Sequence, residues 1–173
     1  VTRAADISTS AQVTRSADNA SVTGSNFAGF YNQTQGTIVA AGWFASPKPV
    51  YPRLVSLTKS GSYNDSLNVF LSGAVSKLSA SSRVNAVTHS DMSGVLVAPN
   101  TRLLAAMRIK RNDLAFSVAA GVTTDTVVEI PNAFQLAVGA TSGSGDCWNG
   151  HVANITYYPQ AFTNEELQTF TTL

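Results

Sequence analysis

Charge is what this sequence has least of: 12% of its 173 residues are Asp, Glu, Lys or Arg, about half the usual share for a globular domain. Eleven basic and ten acidic side chains nearly cancel, leaving a formal charge of +1. A nucleic-acid binder gathers Lys and Arg to displace phosphate counterions, so this balance argues against one. A single cysteine excludes an internal disulfide framework. The longest apolar run, at 38–45, is far shorter than the ~20 residues that span a bilayer, so no membrane insertion is expected. Disorder is disfavoured too, because 44% hydrophobic residues with little net charge drive collapse. The length suits one domain able to bury roughly 70% of its unfolded surface. The chain opens on Val1 without Met, basic leader or signal-like core, and reads as a piece of a longer protein. What is present is a low-charge domain whose surface must be built from Ser, Thr, Asn and Gly.

The hydrophobic pattern has period two. In 102–111, Leu103, Ala105, Met107 and Ile109 point one way, against Arg102, Arg108 and Lys110; a strand separates these sets whereas a helix scatters them. A second alternating run follows at 114–119, and Asn112-Asp113 between them reads as a hairpin turn. Further strands are expected at 37–44, 53–57, 67–71, 84–89, 94–97, 126–130, 134–140 and 151–158, each short and bounded by turn residues. Asn149-Gly150 reads as a type I′ turn feeding the last of these. There, alternation puts Val152, Asn154, Thr156 and Tyr158 on one face and Ala153, Ile155 and Tyr157 on the other. Only the end looks helical: Thr163 to Glu166 has capping-box spacing, with Leu167 and Phe170 three apart on one face. The sum is an all-β sandwich of two antiparallel sheets with one short C-terminal helix. Residues 1–20 stand apart as a linker or arm, in which Val1-Thr2-Arg3-Ala4-Ala5-Asp6 recurs as Val13-Thr14-Arg15-Ser16-Ala17-Asp18; 21–173 form the domain.

Two stretches are recognisable. The opening Thr14-Arg15-Ser16-Ala17-Asp18, Ser21-Val22-Thr23-Gly24, Phe27, Phe30-Tyr31-Asn32 and Gly36-Thr37, with the closing Asn149-Gly150-His151-Val152-Ala153, Tyr157-Tyr158-Pro159 and 162–168, resembles the concanavalin A-like (laminin-G-like) jelly-roll domains of bacteriophage tail and virion-surface proteins. The resemblance spans roughly 13–173. Phe30 stands where such domains usually carry Trp, and Ala119-Ala120-Gly121 where they often carry Asn-Gly. The resemblance implies a concanavalin A-like jelly roll with its two recognisable ends side by side. It also implies a virion location after synthesis in the bacterial cytoplasm, and a homotrimeric parent protein.

Glycoside hydrolysis needs two carboxyl groups across the scissile bond, yet the three glutamates are Glu129, Glu165 and Glu166, the last two belonging to the helix cap. Glu129 reads as a solvent-facing strand residue. His89-Ser90-Asp91 are strand neighbours that point to opposite faces, not a triad. Cys147 and His151 flank a turn and could meet; Gly143-Ser144-Gly145 lacks a nucleophile-elbow pattern. No catalytic residue is assigned, and two isolated histidines give no zinc spacing. Calcium would need oxygens from Asn64-Asp65, Asp91, Asp125 or Asp146, and no dense acidic loop gathers them, so neither metal nor cofactor is expected. Arg102, Arg108, Lys110 and Arg111 suit either an anion patch or a solvated strand face.

Binding is the remaining chemistry. Sugar sites pair aromatic faces with Asn, Asp and backbone groups, a mixture found in Tyr63-Asn64-Asp65 and in Asp146-Cys147-Trp148-Asn149, with Tyr51 at a further rim. Trp148, in a polar loop, serves either ligand or core; Trp43 is expected in the core. The expectation is a non-enzymatic virion domain that binds host-surface carbohydrate through Trp148, Asp146, Asn149, Tyr63, Asn64, Asp65 and Tyr51. The alternative is a purely structural decoration module whose partners are other virion proteins.

Overall fold

The computed structural model describes residues 20–45, 51–59, 62–72, 76–140 and 146–172. The arm at 1–19 and the Gly143-Ser144-Gly145 run lie outside them. Two antiparallel sheets face each other. The first has six strands in the order β1 (Ala20–Thr23), β10 (Gln135–Val138), β3 (Arg53–Thr58), β4 (Ser66–Ser72), β5 (Lys77–Val84) and β6 (Val87–Leu96). The second has five, in the order β11 (Gly150–Tyr158), β2 (Gln35–Phe44), β7 (Leu103–Lys110), β8 (Leu114–Val118) and β9 (Gly121–Asp125). A short helix α1 (Gly24–Ala28) follows β1, and α2 (Asn164–Thr171) closes the chain.

The alternating residues do what the pattern demands. Leu103, Ala105, Met107 and Ile109 of β7 meet Leu67, Val69 and Leu71 of β4 and Leu78 and Ala80 of β5 in one core between the sheets. A second, smaller cluster lies on the opposite face of the second sheet, where Leu167 of α2 packs on Ala106 and Ala115. The capping box is present: Glu166 N–H donates to Thr163 Oγ1 at 3.2 Å, and Thr163 N–H to Glu166 Oε2 at 2.7 Å, satisfying two amides that a helix start leaves open. Arg108 fastens the helix, donating to Phe162 O and Asn164 Oδ1, each at 3.0 Å. It is thus a partly buried anchor rather than a solvated strand charge.

Several expected elements fall elsewhere. The strand expected at 84–89 is a hairpin, with Asn85 and Ala86 at φ 51° and 65° between β5 and β6. The one at 94–97 is the end of β6. Residues 126–130 form no strand: Asp125 Oδ1 accepts from Val127 N–H at 3.0 Å, a local turn that competes with sheet pairing, and the strand is β9 just before it. Lys77–Val84 pairs as β5 although its Ser-rich sequence hides the alternation. Helix α1 was not expected. Gly150 is no turn residue; it is the first of β11, paired with Phe44. Its glycine is needed because a Cβ there would sit 2.0 Å from Trp43 O.

A bulge in β11 between Val152 and Asn154 changes the phase of the final strand. Val152, Ile155 and Tyr157 all reach the core, where strict alternation separates Val152 from the other two. The terminal segments do come together, through Tyr157: its hydroxyl accepts from Asn32 N–H at 2.9 Å and its ring lies 5.6 Å from Phe30 and 5.3 Å from Tyr31. β2, not β1, is the strand that pairs with β11.

Candidate functional site

The outer face of the first sheet carries a groove of about 430 Å³ over β3 to β6. Alternation sends Leu67, Val69 and Leu71 of β4 inward and leaves Phe70 and Ser72 outside; on β5 it leaves Ser79, Ser81 and Arg83. Two irregularities complete the lining. In β3, Arg53 shares its parity with Val55 and Leu57, both core residues, and would point inward in a regular strand. A bulge between Arg53 and Val55 turns it to the groove, opposite Phe70. In β6, the register shift opposite Ser82 and Arg83 puts Thr88 and Asp91, three residues apart, on the same face. Bulges re-aim side chains in this way at many binding sites.

Tyr63 organises the groove. The guanidinium groups of Arg53 and Arg83 each lie 4.4 Å from its ring centroid, favourable cation–π geometry for each. Arg53 is the buried partner, its side chain 4% exposed and its Nη1 3.4 Å from Asp146 Oδ2. Its Nε donates to Asn68 Oδ1 at 3.3 Å. Burial lowers its pKa, and Asp146 pulls the other way. Asn68, fully buried, also accepts from Ser56 Oγ at 2.9 Å and donates to Ser66 Oγ at 2.8 Å, so the polar floor under Arg53 is fixed. Arg83 donates to Thr88 Oγ1 at 3.0 Å and to Ala86 O at 2.6 Å. Tyr51, 55% exposed and edge-on to Phe70 at 6.0 Å, forms the apolar rim.

Of the residues expected from sequence, Tyr51 and Tyr63 line this groove and Asp146 stands behind it on Arg53. Asn64 and Asp65 serve the neighbouring hairpin: Asn64 O accepts from Ala86 N–H and Asp65 Oδ1 from Asn85 N–H, each at 2.9 Å. Asn149 O accepts from Ala45 N–H at 2.7 Å. Of its two expected roles Trp148 takes the core one, and Trp43, expected in the core, does not lie there. Trp148 is 9% exposed, edge-on to Phe44, with Nε1 donating to Trp43 O at 3.3 Å; it is core, with no free face for a sugar. Trp43 is half-buried on the outer face of the second sheet, its ring 5.0 Å from that of His151.

Arg53, Arg83 and the serine floor escaped the sequence reading. One signal was there: a charged residue in phase with Val55 and Leu57 of a buried strand implies a phase change between them. In sequence, Asp91 stands beside His89 and Ser90 and suggests at most a calcium ligand. In the fold Ser90 faces the core side and Asp91 the groove. Glu129, expected in a strand, lies in irregular chain and pairs with Arg111. Lys110 and Arg108 share Asp113; with three of its four cations paired, the basic segment is no anion patch. Among the described residues no three His, Cys, Asp or Glu side chains gather where they could hold a metal, and no helix is long and apolar enough to cross a membrane.

Known proteins resemble this fold without resembling its sequence. No family model matches the chain, and no curated protein does so significantly. Among solved structures, the CBM40 module of the Ruminococcus gnavus IT-sialidase bound to alpha2,3 sialyllactose superposes with a TM-score of 0.64 at 13% identity, over 82% of this chain and 84% of that one. Trypanosoma rangeli sialidase superposes with a TM-score of 0.63 at 14% identity, over 80% of this chain and 23% of the enzyme's. The SAP-like pentraxin of Limulus polyphemus gives 0.59 at 14%, over 80% and 70%. The chain has a concanavalin A-like jelly-roll fold. At these identities the likeness is one of fold.

Proposed function

We propose that the chain is a non-catalytic glycan-binding module whose site is the groove of Tyr51, Tyr63, Arg53, Arg83 and Asp91. The observation that carries this is the coexistence, in one groove, of an exposed aromatic rim and a floor of hydroxyl, guanidinium and carboxylate groups, the mixture that sugar rings and their hydroxyls require. The CBM40 neighbour bound to sialyllactose supports it by showing that this fold accommodates a sugar. Asp91 is the single carboxyl group among the described lining residues, whereas acid–base hydrolysis uses two. The resemblance of the two chain ends to virion-surface domains supports the finer proposal, that the module sits on a phage particle and helps attach it to a host-surface glycan.

Glycan-array binding followed by titration tests the site. Tyr51→Ala, at an exposed rim, should weaken binding about tenfold with an unchanged melting temperature; Tyr63→Ala should weaken it further. Unchanged binding in both variants would remove the groove from the proposal. A structural decoration module is the second reading, favoured by the exposed Val87, Val95 and Leu96 on edge strand β6, 57%, 39% and 69% accessible. It would show as virion association that added sugar does not compete.

A further inference from the structure

We infer that the groove selects saccharides bearing a carboxylate and that Arg83 is the residue that reads it, an inference that rests on the glycan-binding reading above. The two guanidinium groups on Tyr63 are not equivalent. Arg53 already has a carboxylate partner in Asp146 and a buried acceptor in Asn68. Arg83 is half-buried and donates to two neutral oxygens, Thr88 Oγ1 and Ala86 O; among the described residues no carboxylate pairs with it. Its Nε is buried without a hydrogen-bond partner. An arginine so placed beside a second cation carries charge that an incoming anion would offset, and its planar fork matches a carboxylate. Stacking on Tyr63 holds that fork in place, so little side-chain freedom remains to be lost on binding.

The groove is also polarised. Arg83 pairs across the sheet with Thr88, and Asp91 with Ser81; Ser81 and Arg83 are two residues apart on one strand, about 7 Å. The donor end at Arg83 is therefore separate from the acceptor end at Asp91, which lies beside Ser79, Ser81 and Ser93. An acidic sugar fits with its carboxylate at the Tyr63 end and its hydroxyls toward Asp91. The reverse orientation sets carboxylate against carboxylate.

The test compares glucuronic- and neuraminic-acid-terminated oligosaccharides with their methyl esters, which keep the ring and lose the charge. Titrations and NMR shifts at Tyr51 and Tyr63 are read on the intact domain. The acid should bind about tenfold tighter than the ester. Arg83→Gln should abolish that difference by lowering acid affinity to that of the ester, and Arg83→Lys should restore part of it. If acid and ester shift the groove resonances with equal affinity, the carboxylate selectivity is overturned while the glycan reading stands. If neither shifts them, both fall. If Arg83→Gln still discriminates, Arg83 is not the reader.

Discussion

A tryptophan in a polar loop looks like a binding residue, and Trp148 is the residue for which exposure decides. Its ring is buried on Phe44, so Trp148→Ala should behave as a large-to-small core substitution. It is expected to cost about 3 kcal/mol, read by denaturant unfolding, and to alter sugar binding only through lost stability. Tyr31 carries a different burden. Its hydroxyl is buried and has no hydrogen-bond partner, and burial first, then Tyr157, pushes its pKa well above the usual 10.0. Burial likewise raises Tyr157, against the opposing hydrogen bond from Asn32. Both native pKa values exceed their unfolded ones. The unfolded chain therefore loses these protons first, and stability present below pH 10 falls as pH rises above it. Tyr31→Phe should leave stability at pH 7 unchanged or slightly higher, since no hydrogen bond is lost, and should flatten the decline between pH 10 and 11.5. Melts of both proteins across that range measure it.

At the scale of elements, the hairpin joining β8 to β9 is held by something outside itself. Ala119 and Ala120 take φ of 48° and 59°, a left-handed conformation that costs a Cβ-bearing residue about 1–2 kcal/mol. α2 steadies them: Ala120 N–H donates to Thr171 Oγ1 at 3.2 Å and Gln168 Nε2 donates to Ala120 O at 3.1 Å. Thr171, fully buried, also shares a 2.7 Å hydrogen bond with Ser117. Replacing Ala119-Ala120 by Asn-Gly supplies residues at ease with positive φ. The double variant should gain about 1 kcal/mol in denaturant unfolding, and hydrogen exchange in α2 should slow if the helix and the turn open together. The bulges of β3 and β6 are the other decisive local features, because each moves a groove side chain across the sheet without any change in composition.

For the whole molecule, a proposed site that is an open groove implies weak binding per copy and a dependence on number. If the module is repeated on a particle, as proposed, linked copies act at a high effective concentration. A trimer formed on an engineered coiled coil should then hold a glycan-coated surface at least 100-fold longer than the single domain, in surface plasmon resonance. A gain no larger than threefold would show that the sites cannot engage together.

The scarcity of charge, the period-two runs and the capping box determined that two antiparallel sheets enclose a core with a helix at the end. These are local or compositional facts, and burial follows from them almost directly: Leu103, Ala105, Met107 and Ile109 have nowhere else to go. Tyr51 and Tyr63 were legible as exposed aromatics for a similar reason. The position of the groove was not legible. It depends on which residues oppose one another across strands distant in sequence, and on bulges that reverse alternation at Arg53 and near His89. Which tryptophan is buried was decided in the same way: local pattern favours Trp43, in an apolar run, over Trp148, in a polar loop, yet the fold buries Trp148 and leaves Trp43 half-buried. Local pattern fixes which residues hide from water, because each side chain carries its own hydration free energy; which residues meet is set by strand register, a property of the whole sheet.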